Sequence, residues 1–124
     1  NYLLEDAVDD RLTNISQQEL ARRVGPTDAT LVLCGHSHQQ HAAFASPKCV
    51  VLNPGSVGCP RSADNPAMDR VEAGGPFARY AVATRLRDAW SVEMIALSYD
   101  WSPVVERARA NGRADWADGF VGIP

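Results

Sequence analysis

His36-Ser37-His38 follows directly on Leu31-Val32-Leu33-Cys34-Gly35, and no other stretch constrains the fold as much. The apolar run bounded by Gly35 predicts a fully buried strand over residues 30–34. On a strand, residues i and i+2 share a face, so two imidazoles would emerge side by side at its end. On a helix, the same spacing would send them to nearly opposite sides. Gly35 has no side chain, so backbone or ligand can approach closely there. Paired imidazoles at a strand end suit a divalent transition metal. Two histidines are nevertheless an incomplete set, because a tetrahedral site takes three or four ligands and a two-metal site more. The alternative is a polar pair hydrogen-bonded to backbone or water. His41, the third histidine of the chain, reads as solvent-exposed or as a support behind the site.

A second apolar run, Lys48–Leu52, predicts another core strand, ended by Pro54-Gly55. The order Leu-Cys-Gly-His-Ser-His, then a hydrophobic strand, then Asn53-Pro54-Gly55-Ser56-Val57-Gly58, resembles the calcineurin-like metallophosphoesterases, and within them the small bacterial phosphodiesterase-like branch. The resemblance spans about Leu31 to Arg61. It implies that His36 binds one metal and His38 the other, in a pair of divalent ions drawn from Mn, Fe, Zn, Co or Ni. It also implies hydrolysis of a phosphodiester or phosphomonoester by metal-activated water. Asn53 and Arg61 are the substrate-contact candidates. The turn at Asn53–Ser56 can present amides to a phosphate or simply pack rigidly beside the histidines. Arginine makes bidentate phosphate contacts, although Arg61 reads equally well as a surface residue.

The departures from the family pattern are as informative. Its Asp-x-His, Gly-Asp, Asn-His and His-Gly motifs are absent, and no histidine precedes His36. The chain therefore reads as the C-terminal portion, residues 1–124, of a single α/β domain of α+β type. In the family such strands form half of a four-layer αββα sandwich, mostly mixed or antiparallel and flanked by helices. By that resemblance the chain carries two of the expected metal ligands and lacks the bridging aspartate and the histidine that acts as general acid in the family, so alone it is expected to be inactive. A missing N-terminal half or a partner chain would complete the site. The alternative is a non-catalytic scaffold or interaction domain on the same fold. Apolar strand surface left without a partner would invite self-association.

Composition narrows the class further. A net charge of −3 provides no basic footprint for nucleic acid. No apolar run approaches the roughly 20 residues needed to cross a membrane. The acidic start (Glu5, Asp6, Asp9) is unlike a signal peptide. A cytoplasmic protein is the expectation, and Cys34, Cys49 and Cys59, with no Cys-x-x-Cys spacing, fit reduced thiols.

Along the chain, Leu4, Val8 and Leu12 predict a short amphipathic helix over 3–12. Ser16-Gln17-Gln18-Glu19 is a capping box, with Ile15 and Leu20 as its staple, opening a helix that Gly25-Pro26 ends. Residues 42–47 read as a partly extended connection and 59–76 as a long loop. Two alternating segments, Phe77–Arg85 and Trp90–Leu97, predict an antiparallel hairpin. Ser102 as N-cap with Pro103 at N1 predicts a helix closed by Asn111-Gly112. Asp100 belongs to the turn before it. Trp116 and Phe120, four apart, predict one face of a last helix.

Overall fold

The computed structural model describes residues 2–9, 11–58 and 77–121. The fold is α+β: among the described residues, seven strands form three sheets and three helices pack around them. The predicted loop over 59–76, with Cys59 and Arg61, lies outside the described residues.

The N-terminal segment is a hairpin, not the helix predicted for 3–12. β1 (Glu5–Val8) pairs antiparallel with β2 (Arg11–Asn14). Only two residues separate the strands, and Asp9 takes the positive φ (49°) that such tight reversals need. Aspartate tolerates that conformation better than most residues. The four-residue spacing of Leu4, Val8 and Leu12 is compatible with a helix, but Val8 ends up exposed and only Leu4 enters the core.

α1 (Gln17–Val24) starts as its capping box predicts, with the Glu19 amide donating to Ser16 Oγ at 3.2 Å. The Glu19 carboxylate does not complete the box; it binds Arg22 and Arg23 instead. Leu20 is buried and Ile15 packs against its cluster. Gly25 (φ 70°) ends the helix.

The central sheet has the order β3-β5-β4, with β3 (Leu31–Leu33), β4 (Gln40–Ser46) and β5 (Cys49–Pro54). β5 runs parallel to β3 and antiparallel to β4. The stretch 42–47, read as a partly extended connection, is mostly strand: its alanines are poor strand formers, and pairing with β5 overrides that preference. Val51, Cys49 and Ala45 form a buried cluster with Leu4 and Leu20, and Val32 and Ala43 pack against it. β3 is an edge strand rather than the fully buried one predicted, and Leu33 is 68% exposed.

β6 (Ala78–Leu86) and β7 (Ala89–Leu97) form the predicted antiparallel ribbon, reversing at Arg87 (φ 38°). Polar bonds dock it on the central sheet. Gln40 Nε2 donates to the carbonyls of Tyr80 and Ile95, the Arg79 amide to Ser56 O, and Trp90 Nε1 to Thr30 Oγ1. α2 (Ser102–Ala110) and α3 (Ala114–Val121) close a second cluster around Val105, Ala117 and Phe120. The start of α2 is shifted by one residue. Trp101 occupies the cap position and lends no side-chain bond, while Asp100 Oδ1 accepts from the Ser102 amide at 3.0 Å. Trp116 and Phe120 both lie on α3, four apart as predicted, but only Phe120 is buried. Phe120 stacks on Trp101, whereas Trp116 is exposed beneath the Arg113 guanidinium.

Candidate functional site

Strand order dictates where the histidines lie. β3 and β4 flank β5, so the chain leaving β3 must cross the C-terminal end of β5 to enter β4. That crossing is the segment Cys34–Gln39, and it carries His36 and His38. The strand stops at Leu33, and the Cys34 amide makes one further ladder bond to Leu52 O at 2.9 Å. The histidines are therefore loop residues, and alternation along a strand does not set their directions. Both take positive φ, 81° at His36 and 60° at His38.

Their surroundings differ. The exposed His36 ring stacks on Tyr2, with centroids 5.0 Å apart. His38 is half-buried, and its Nδ1 is buried without a hydrogen-bond partner. Buried polar atoms are rarely left this way unless something outside the chain satisfies them. Metal-ligating imidazole nitrogen is one such case. His41, on β4, is half-buried with Nδ1 3.8 Å from Glu5 Oε1. Burial pushes its pKa below the usual histidine value.

Asn53 lies directly under the crossing loop, at the end of β5, with its side chain fully buried. Nδ2 donates to Ser37 Oγ at 2.8 Å, and Oδ1 accepts from the Gly55 amide at 3.0 Å. The turn after it is tightly packed. Gly55 has φ 85°, and a Cβ there would lie 2.9 Å from Gln40 Cγ and 3.0 Å from Arg79 Cβ. Of the two substrate-contact candidates, Asn53 is thus turned inward and Arg61 lies outside the described residues.

Tyr2, the residue under His36, borders a cleft of about 670 Å³ also lined by Leu3, Glu5, Asp6, Ala7, Arg22 and Arg23. Both guanidiniums there are engaged. Arg22 binds Glu19, while Arg23 binds Glu19, Asp6 and the carbonyls of Tyr2 and Glu5. The same two arginines hold the Glu19 carboxyl down at about 2. Burial, and after it the nearby Glu5 carboxylate, push the Cys34 thiol up to about 11.

Among the described residues, no three His, Cys, Asp or Glu side chains converge as a metal-binding group. The donors present fit part of a metal's coordination shell: two imidazoles in one loop, one with an unpartnered buried nitrogen. Sequence pattern marked both histidines. It offered no signal for the stacking of Tyr2 on His36 or for the Ser37–Asn53 bond, whose partners lie sixteen residues apart.

A family model described as a calcineurin-like phosphoesterase superfamily domain matches residues 6–74, more than half of the chain. No curated protein and no solved structure matches it. Among the described residues, no helix is long and apolar enough to cross a membrane.

Proposed function

Since the chain belongs to the calcineurin-like phosphoesterase superfamily, we propose that it is the C-terminal, ligand-bearing part of a metal-dependent phosphoesterase domain. Its substrate would be a phosphodiester or phosphomonoester. The observation that carries this reading is the histidine loop over the end of β5, with His38 Nδ1 buried and unpartnered. His36 and His38 would each hold one of two divalent ions, and the imidazole donors suit Mn, Fe, Zn, Co or Ni. The bound ions would supply an activated water and neutralise phosphate oxygens. The chain's own residues do the rest. The crossing loop presents the imidazoles, and Asn53 supports it from beneath. Its buried, doubly bonded amide favours that supporting part over a direct substrate contact. Arg61 remains the phosphate contact we propose from sequence.

The remaining ligands would come from sequence outside this chain or from a partner chain. The family's Asp-x-His, Gly-Asp and Asn-His motifs do not occur in these 124 residues. A second reading, a non-catalytic scaffold or interaction domain, is favoured by one observation: no group of three ligands forms among the described residues.

The test uses the full-length protein. Metal content is measured together with turnover of an aryl phosphodiester and an aryl phosphomonoester. Two transition-metal ions per chain and hydrolysis of either ester support the enzyme. Stoichiometric absence of metal after loading, with no turnover, selects the scaffold. His38→Ala should remove most turnover and leave the fold intact. Near-normal turnover with full metal stoichiometry in that variant would sink the ligand assignment.

A further inference from the structure

We infer that Ser37 and Asn53 are positioning residues that lock His36 and His38 into one fixed arrangement, with Gln40 anchoring the same loop to the ribbon. This rests on reading the two histidines as metal ligands. The starting point is backbone strain. His36 (φ 81°) and His38 (φ 60°) both lie in the left-handed region, where a Cβ crowds the neighbouring carbonyl. Two such residues separated by one position persist only if the surroundings over-determine the loop.

The surroundings do so at three points. At the entrance, the Cys34 amide donates to Leu52 O at 2.9 Å. At the exit, Gln40 Nε2 reaches two carbonyls that face each other across the ribbon, Tyr80 O and Ile95 O, each at 3.0 Å. In the middle, between the two histidines, Ser37 Oγ accepts from Asn53 Nδ2 at 2.8 Å. The Ser37–Asn53 bond is the only one of the three made by a side chain from within the histidine pair.

The orientation of Asn53 is determined on both sides. The Gly55 amide can only donate, so Oδ1 must face it, which directs the NH₂ group to Ser37. Asn53 is fully buried and Ser37 nearly so, so water cannot replace either partner cheaply. The two strained histidines therefore share this support at the middle of the loop. A ligand loop held this way needs little reorganisation when it takes up a metal, which is how residues behind the ligands raise affinity.

The experiment compares wild type, Asn53→Ala, Ser37→Ala and the double variant of the full-length protein. Val105→Ala, in the distant α2–α3 cluster, controls for general destabilisation. In metal-free protein, positive φ shows as a strong intraresidue amide–Hα NOE. Wild type should show it at both histidines. Asn53→Ala should lose it at both, with His41 unchanged. Co²⁺ affinity should fall about 10–100-fold in Asn53→Ala and stay at the wild-type value in Val105→Ala. The double variant should be little worse than Asn53→Ala, because the Ser37–Asn53 bond is already lost there and Ser37→Ala removes in addition only the long Gln39 amide contact at 3.5 Å. If Asn53→Ala retains both NOEs and wild-type Co²⁺ affinity, the positioning role is wrong while the ligand reading stands. If Co²⁺ uptake is indifferent to His36→Ala and His38→Ala, the ligand reading fails, and the metal-free NOE comparison still decides the positioning role.

Discussion

β5 and the β6–β7 ribbon are both mostly apolar, with Val and Leu in every strand, yet they meet water differently. β5 buries five of its six residues, whereas neither ribbon strand, at nine residues each, buries any to that degree. β5 has a strand on either side and the α1 cluster on one face. Among the described residues the ribbon strands pair only with each other, and one face presents Tyr80, Val82, Leu86 and Leu97 to solvent. Burial here follows topological position, not hydrophobicity. The histidine loop lies over the end of the buried strand, where a strained segment can be held.

That contrast can be broken most directly by truncating one residue on each side. Leu20→Ala, beneath β5, should lower unfolding free energy by about 2–5 kcal/mol, whereas Val82→Ala on the ribbon should stay within about 0.5 kcal/mol. Urea denaturation of the two variants checks this, and equal losses would mean the ribbon face is covered in solution. Asn53→Ala should come next, at about 1–3 kcal/mol, because it strands Ser37 and the Gly55 amide in a buried place. A smaller effect of opposite sign is expected at the loop itself. His38→Gly relieves a left-handed histidine, so thermal stability should hold or rise by up to about 1 kcal/mol while metal affinity drops. A clear fall in melting temperature would show that the loop is not strained.

The mildest expectation concerns acid. Glu19 is held at about 2 against an ordinary value of 4.5, chiefly by its bonds to Arg22 and Arg23. The unfolded chain therefore takes up this proton first, and the contribution of Glu19, complete above about pH 4.5, is lost as pH falls toward 2. Melting temperatures across that range should fall less steeply in Glu19→Gln. Parallel curves for the two proteins would count against it.

Elements defined by local chemistry were legible in the sequence. Ser16 and Glu19 marked the start of α1, and alternation from Phe77 to Leu97 marked the ribbon. Elements defined by distant partners were not. Leu4, Val8 and Leu12 satisfy a helical spacing, and only the turn at Asp9 and pairing with β2 make that segment a hairpin. The alanines of β4 carry little strand preference until β5 is beside them. His36 and His38 stood out by type and spacing. Their actual support does not, because Ser37 and Asn53 meet only after β5 has been inserted between β3 and β4.

The three tryptophans fall one to a region. Trp90 sits where ribbon meets sheet, with its indole N–H on Thr30; Trp101 stacks in the α2–α3 cluster; Trp116 faces solvent under Arg113. Intrinsic fluorescence thus carries three separable signals. Versions retaining a single indole would let one spectrometer watch the junction, the helical cluster and the surface come apart in sequence, with no added dye.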